Sequence, residues 1–188
     1  MHEPPSSDNE LVNMPEQRVL EIGAGRDRSV PGAVTVDRVV ATGPDVVHDL
    51  DVTPWPFRDG EFDFVRCKDV IEHVADVTKT LEEIHRVLAQ GGRVEIVTPH
   101  YSCANSWTDP THRHHLGYFS FDYFTGQNQW DFYTGARFTL TERHLRFYGR
   151  YKNRHWAWLA NRWPHFYEEH LAWIAPAWYI RVVLTVVK

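Results

Sequence analysis

The stretch Val19-Leu20-Glu21-Ile22-Gly23-Ala24-Gly25-Arg26-Asp27 limits the possible fold more than any other part of the sequence. A run of apolar residues carries one acid, Glu21, and then turns through two glycines. A strand that stops at Gly-x-Gly lets backbone N–H groups approach a ligand where a Cβ would block the way. The pattern places a small charged ligand at the carboxyl end of a parallel strand.

The strands and helices downstream fit that reading. Arg18–Ile22 reads as the first strand, Val34–Asp37 as the second and Asp45–Leu50 as the third, the last two ending in or beside an acid. Ser29–Gly32 is short for a crossover helix, so the first helical element is expected to be a turn or two. Thr53-Pro54-Trp55-Pro56-Phe57 excludes helix and central strand, because each proline removes a donor. Glu61–Lys68 is a fourth strand. Between Thr78 and Leu88, apolar residues Leu81, Ile84, Val87 and Leu88 recur at helical spacing, and Gly91-Gly92 is expected to end that helix. Arg93–Val97 is a fifth strand, stopped by Pro99. The succession predicts an α/β domain with a mostly parallel sheet. Beyond Pro99, Tyr101–Gly135 has no sustained period. Arg137–Leu140 reads as a strand that Leu145–Arg150 extends or pairs with, 156–173 as helical, and Tyr179–Val187 as a closing strand.

The glycine turn is not that of a dinucleotide site. Such a site needs G-x-G-x-x-G with an acid about 20 residues on; here Arg28 holds the third glycine position, and Asp37 follows Gly23 by 14 residues. A phosphate loop would end in Gly-Lys-Ser/Thr, which is also missing. A ligand with an amino acid end and a nucleoside end, but no phosphate, fits better.

Over residues 18–100 the chain resembles the class I S-adenosylmethionine-dependent methyltransferases, in the branch called type 11. Val19–Gly25 matches the family's glycine motif, and Asp37 stands where it places an acid on the ribose hydroxyls. Asp49-Leu50 matches the segment flanking adenine. Trp55-Pro56-Phe57 with Phe62–Val65, then Asp69–Val74, then Ile84–Leu88 with Gly91-Gly92 come in the family's order. The resemblance implies a Rossmann-like three-layer sandwich of strand order 3-2-1-4-5-7-6, the last strand antiparallel, here with reduced N-terminal helices. It implies S-adenosyl-L-methionine as cofactor, S-adenosyl-L-homocysteine as product, and a cofactor site of Glu21, Gly23, Ala24, Gly25, Asp37, Arg38, Asp49, Leu50, Lys68, Asp69 and His73. Two carboxylates on a vicinal diol would make charge-assisted hydrogen bonds. Asp51 rivals Asp49 for that part. Glu21 either orients the glycine loop through its N–H groups or fixes the cofactor's ammonium through water, and His73 is either a cofactor contact or a structural histidine.

The acceptor side must come from the chain beyond the fifth strand. Asp109-Pro110-Thr111-His112 and Phe121-Asp122-Tyr123-Phe124 resemble a pair of segments found in branches of the same family. His112 is the candidate general base, since an unperturbed imidazole exchanges protons near neutral pH, with Asp109 beside it; the alternative is a loop-stabilising histidine bonded to Asp109. Tyr101, His115 and Tyr118 are candidate substrate contacts, and Trp107, Trp130 and Tyr133 further aromatic walls. His112, His114 and His115 lack the spacing of a metal site, and none is expected.

Aromatics make up 14% of the chain, with eight Trp concentrated in its second half. Glu142–Lys188 holds eight Arg/Lys against three Asp/Glu, in a chain of net charge −5. A basic aromatic segment raises RNA or protein methylation as an alternative to a small-molecule acceptor, and a non-catalytic cofactor-binding subunit as a third reading. The motif by which amino-methylating enzymes hold a flat base is missing, which argues against nucleic acid. Cys67 and Cys103 make no disulfide framework, and Cys67 reads as a core residue. Residues 1–14 read as a disordered tail and 15–188 as one domain, with 15–100 for the cofactor and 101–188 for the acceptor. With no leader pattern and no membrane span, a cytoplasmic protein is expected, and exposed aromatics make a homodimer possible.

Overall fold

The computed structural model describes residues 17–26, 28–126, 129, 131–148 and 154–188. The tail expected over 1–14, Asp27 of the glycine stretch, Trp130, and Gly149 and Arg150 lie outside the described residues.

Seven strands form one sheet: β1 (Val19–Ile22), β2 (Val34–Asp37), β3 (Val46–Val47), β4 (Phe62–Lys68), β5 (Leu88–Pro99), β6 (Arg137–Arg146) and β7 (Tyr179–Val187). Their order is β3-β2-β1-β4-β5-β7-β6. The first five are parallel, and β7 runs antiparallel between β5 and β6. This is the Rossmann-like arrangement that the motif order implies. No helix joins β1 to β2 among the described residues, a shorter crossover than expected.

Alternation along the strands sorts the residues by face. Leu20 and Ile22 of β1, Val65 and Cys67 of β4, and Val94 and Ile96 of β5 meet Leu81, Ile84 and Val87 of helix α1 (Val77–Val87) in one buried cluster. Cys67 is fully buried, and burial pushes its thiol far up, as befits a small core residue. On the opposite face Arg66 pairs with Glu95, and Arg181 bridges Glu95 and Glu142. Buried ions this close neutralise one another, and removing any one strands its partner's charge.

Several boundaries differ from expectation. Helix α1 stops at Val87 rather than at the glycine pair. Leu88 is already extended and pairs with Phe62, so Gly91 and Gly92 fall inside β5. Strand β3 shrinks to two residues, because the Asp45 carboxylate accepts from the Thr35 N–H and hydroxyl at 2.9 and 2.7 Å instead of extending the ladder. The two pieces expected around 137–150 are one strand, β6, with a register shift between Leu140 and Glu142. The expected 156–173 helix is broken: α3 (Arg154–Arg162) ends before Pro164, and Tyr167–Leu171 forms a π turn. The residue before a proline is driven out of helical geometry, and Trp163 adopts φ −134°, ψ 66°. A short helix α2 (Ala104–Thr108) stands where no period was visible.

The Trp55 loop is clamped to α1. The Trp55 N–H donates to Glu83 Oε2 at 2.6 Å, its indole N–H to the Leu50 carbonyl at 3.0 Å. Arg86 ties Glu83, Asp59 and the carbonyls of Trp55 and Phe57 together. The clamp fixes Asp49–Asp51, and through them one wall of the cleft at the carboxyl ends of the strands.

Candidate functional site

The strand order reverses between β1 and β4, where open α/β sheets leave a crevice beyond the strands' carboxyl ends. Gly23 follows β1 with φ 60°, and its N–H donates to the Val36 carbonyl at 2.8 Å. Any Cβ at Gly23 would lie 2.3 Å from Val70 Cγ2. Asp37 ends β2; its Oδ2 accepts the Gly25 N–H at 3.0 Å and its Oδ1 the Val39 N–H at 2.8 Å. A carboxylate offers about four lone-pair positions, so each oxygen retains one for a ligand. Asp69, after β4, is held at φ 54°, the one positive φ outside glycine among the described residues. Such backbone is costly and gathers at functional sites.

A first cleft is lined by Gly23, Asp37, Arg38, Asp49, Leu50, Asp69 and His73 from the expected set, together with His48, Asp51, Val70, Val74 and Thr111. A second cleft adjoins it, sharing Asp69 and His73, and adds Glu72, Pro99, Asn105, Thr108, Asp109, Pro110, His112 and Tyr179. The sheet thus brings the expected cofactor residues and the expected base to either side of one ridge.

Other expected residues lie elsewhere. Glu21 accepts the Ser29 and Val30 N–H groups at 3.0 and 3.3 Å, in the segment that follows the glycine loop. Ala24, Gly25 and Lys68 line neither cleft; Gly25 acts through its hydrogen bond to Asp37. Tyr101, His115 and Tyr118, expected as substrate contacts, also line neither cleft. Tyr101 donates to the Glu168 carbonyl at 3.2 Å, His115 stacks on Trp107 at 3.6 Å, and Tyr118 lies under the Arg143 guanidinium at 4.1 Å. Each is held by packing in the loops beside the site. Trp107 and Tyr133 are exposed and line neither cleft.

Glu72 is the residue that sequence reasoning missed. It is 1% exposed, its Oε2 accepts from the Thr98 hydroxyl at 2.9 Å, and its buried Oε1 has no hydrogen-bond partner. Burial raises its carboxyl to about 7. Its backbone carbonyl accepts the Arg113 and His114 N–H groups at 2.8 and 3.1 Å, which seats the 109–114 loop against the β4 turn. The signal was its place between apolar Ile71 and Val74, an acid with no solvent side to turn to.

His112 does not bond Asp109 as the loop-stabilising alternative required. Its Nδ1 lies 3.1 Å from the Ser106 carbonyl, and its Nε2 stands 4.0 Å from Asp109 Oδ2. Asp109 instead accepts from Thr111, whose hydroxyl and N–H hold its carboxyl below the usual range. His73 packs edge-on to His112, ring centroids 4.6 Å apart. Burial, and then the neighbouring His112, lower its tendency to protonate. Glu72, His73 and His112 each offer one donor atom within 4.8 Å of the others, the one candidate cation set among the described residues.

Residues 20–96 match the methyltransferase domain family. Over that stretch the chain is similar to this family. Tocopherol O-methyltransferase, a chloroplastic enzyme of Arabidopsis thaliana, is 46% identical over 48 residues, 26% of this chain. That match spans 14%, about one seventh, of the plant enzyme's length. Among solved structures, the YcgJ protein of Bacillus subtilis superposes with TM-score 0.59 at 18% identity, covering 92% of both chains. A SAM-dependent methyltransferase of Archaeoglobus fulgidus gives TM-score 0.59 at 17% identity, over 91% of this chain and 86% of that one. At such identities the structural likeness establishes the fold. Among the described residues no helix is long and apolar enough to cross a membrane.

Proposed function

We propose that the chain is an S-adenosylmethionine-dependent methyltransferase whose acceptor is a small molecule bound in the second cleft. The observation that carries this reading is the pairing of the two clefts across Asp69 and His73. The first cleft fits the cofactor: Gly23, where a Cβ would strike Val70, keeps the turn close against the cleft wall, and Asp37 keeps lone pairs for a ribose diol. Asp49 and Leu50 stand where an adenine would be flanked. When bound, the cofactor supplies an electrophilic methyl group on a sulfonium centre.

The chain's own part is to position the acceptor and take its proton. The Ser106 carbonyl can only accept, so His112 Nδ1 carries hydrogen, and in the neutral ring Nε2 keeps a lone pair on a residue that lines the second cleft. That lone pair is assigned as the proton acceptor. Asp109 is a positioning residue, acting through Thr111 on His73. The tocopherol enzyme's name speaks for an oxygen acceptor on a small molecule, and the cleft's polar lining suits a hydroxyl-bearing compound such as a sugar or secondary metabolite. A soluble chain acting in the cytoplasm, as monomer or homodimer, is the accompanying proposal.

Calorimetry with S-adenosylhomocysteine tests the first cleft. Wild-type protein should bind one equivalent, and Asp37→Ala should weaken binding by roughly a hundredfold or more, since two charge-assisted hydrogen bonds contribute about 3 kcal/mol together. Folded wild-type protein that binds none would remove the basis of the proposal.

A further inference from the structure

The Glu72 Oε1 atom is the least explained group in the molecule. A buried carboxylate oxygen without a donor costs free energy unless something cationic or protonated faces it. Two imidazoles stand beside the Glu72 carboxyl, and the hydrogen-bond pattern places a hydrogen on Nδ1 of each. The Ser106 carbonyl obliges His112 to carry its hydrogen on Nδ1. The Thr111 hydroxyl gives its single hydrogen to Asp109 Oδ1 at 2.7 Å, so it must accept from His73 Nδ1 at 3.0 Å. In its neutral form each ring therefore presents a bare Nε2.

A histidine whose far nitrogen is pinned by a carbonyl, or through a hydroxyl to a carboxylate, is oriented as metal-ligating histidines are. The donor atoms of Glu72, His73 and His112 lie within 4.8 Å of one another, so closing on a shared ion takes only small side-chain movements. Asp109 Oδ2, 4.0 Å from His112 Nε2, stands at the rim as a further oxygen. Glu72 and His73 sit on the rigid turn after β4, and His112 on a loop tied to that turn by two backbone hydrogen bonds.

We propose that Glu72, His73 and His112 bind a divalent transition ion of the zinc or manganese class. Two neutral imidazoles and one carboxylate suit such ions, whereas magnesium and calcium prefer all-oxygen sets. Three protein ligands leave positions open, and all three residues line the second cleft. An acceptor with an oxygen donor, such as an enol, a catechol or a 2-hydroxy acid, would complete the ion's coordination there. This last step rests on the proposed function; the ion site itself does not. In the ion-loaded protein the His112 lone pair would be a ligand, and the acceptor's hydroxyl, acidified by coordination, would lose its proton to solvent instead of to imidazole.

The test uses the full chain, stripped with a chelator and checked for native circular dichroism, then titrated with cobalt(II) and with zinc(II). One equivalent should bind, with visible d–d absorption for cobalt. The near-isosteric Glu72→Gln and His112→Ala should each weaken binding at least tenfold, while His48→Ala, outside the cluster, should not. Stripped protein that stays folded but binds no stoichiometric ion overturns the proposal, as does binding unchanged in both cluster variants. The same stripped protein is titrated with S-adenosylhomocysteine. Binding of that nucleoside without ion binding leaves the methyltransferase reading standing and the ion site refuted, and the converse does the opposite.

Discussion

Replacing Gly23 and Gly25 by alanine, one at a time, separates two costs that are normally confounded. Their φ angles are 60° and 57°, so both alanines incur the left-handed penalty of about 1–2 kcal/mol. Only one of them also meets an obstacle. At Gly25 nothing lies within 4 Å of the added Cβ, whereas at Gly23 it would stand 2.3 Å from Val70 Cγ2 and 3.1 Å from Cγ1. Val70 is 7% exposed and packs in the main core, so it cannot swing away freely. Forcing a methyl group into such packing costs about 1–3 kcal/mol. Gly23→Ala should therefore lose about 2–5 kcal/mol in urea unfolding, and Gly25→Ala only about 1–2. Val70→Ala in the Gly23→Ala background removes the obstructing methyls, and the double-mutant cycle should show a favourable coupling of about 1–3 kcal/mol. Because Gly23 and Val70 both line the first cleft, affinity for S-adenosylhomocysteine should fall and recover in step. Equal losses at the two glycines, or strict additivity with Val70→Ala, would refute the reasoning.

Glu83 predicts an acid-labile clamp. Burial works against its charge, but Arg86 and the Trp55 N–H outweigh it and hold the carboxyl below its ordinary value of 4.5. A depressed carboxyl stabilises above its unfolded pKa and loses that contribution as pH falls through the folded one; Glu83→Gln should therefore flatten the acid limb of the stability profile, and an unchanged limb would count against the clamp. Glu168 Oε1 accepts from the Tyr118 N–H at 2.6 Å and meets His100 Nε2 at 3.0 Å. Glu168→Ala should cost about 2–4 kcal/mol by leaving both unmet, and should speed hydrogen exchange at the Tyr118 amide. His115→Ala should lower stability by about 1 kcal/mol through the lost stacking on Trp107, while S-adenosylhomocysteine affinity stays within twofold; a large affinity loss would return His115 to the site.

Sequence is most legible where local chemistry dominates. The strand ending at Gly23, the acid ending β2 and the apolar stripe of α1 are each set by neighbours a few residues away, and all appear in the structure. The end of α1 was misplaced because Leu88 pairs with Phe62, a partner 26 residues back, and that contact overrides the glycine signal. The acceptor side was the least legible. Tyr101, His115 and Tyr118 look like pocket walls by composition, yet each satisfies a partner in the surrounding loops. Glu72 shows the reverse case. Its motif position was read, but its importance comes from Thr98 on the adjacent strand and from the loop carrying His112, neither visible in local sequence.

The placing of β7 bears on how the molecule comes apart. Among the described residues strand β6 has β7 as its only neighbour, and β7 reaches β5 on its other side. Arg181 on β7 bridges Glu95 and Glu142, one on each flanking strand, so slipping β7 by a single residue would turn that cation onto the apolar face. With β6 in place, strand β7 leaves β5 only by taking β6 with it, and that departure is a single cooperative opening. Tyr179, the first residue of β7, walls the second cleft, while no residue of β6 or β7 lines the first. On the proposed assignment of the clefts, opening these strands would dismantle a wall of the acceptor cleft while leaving the lining of the cofactor cleft in place.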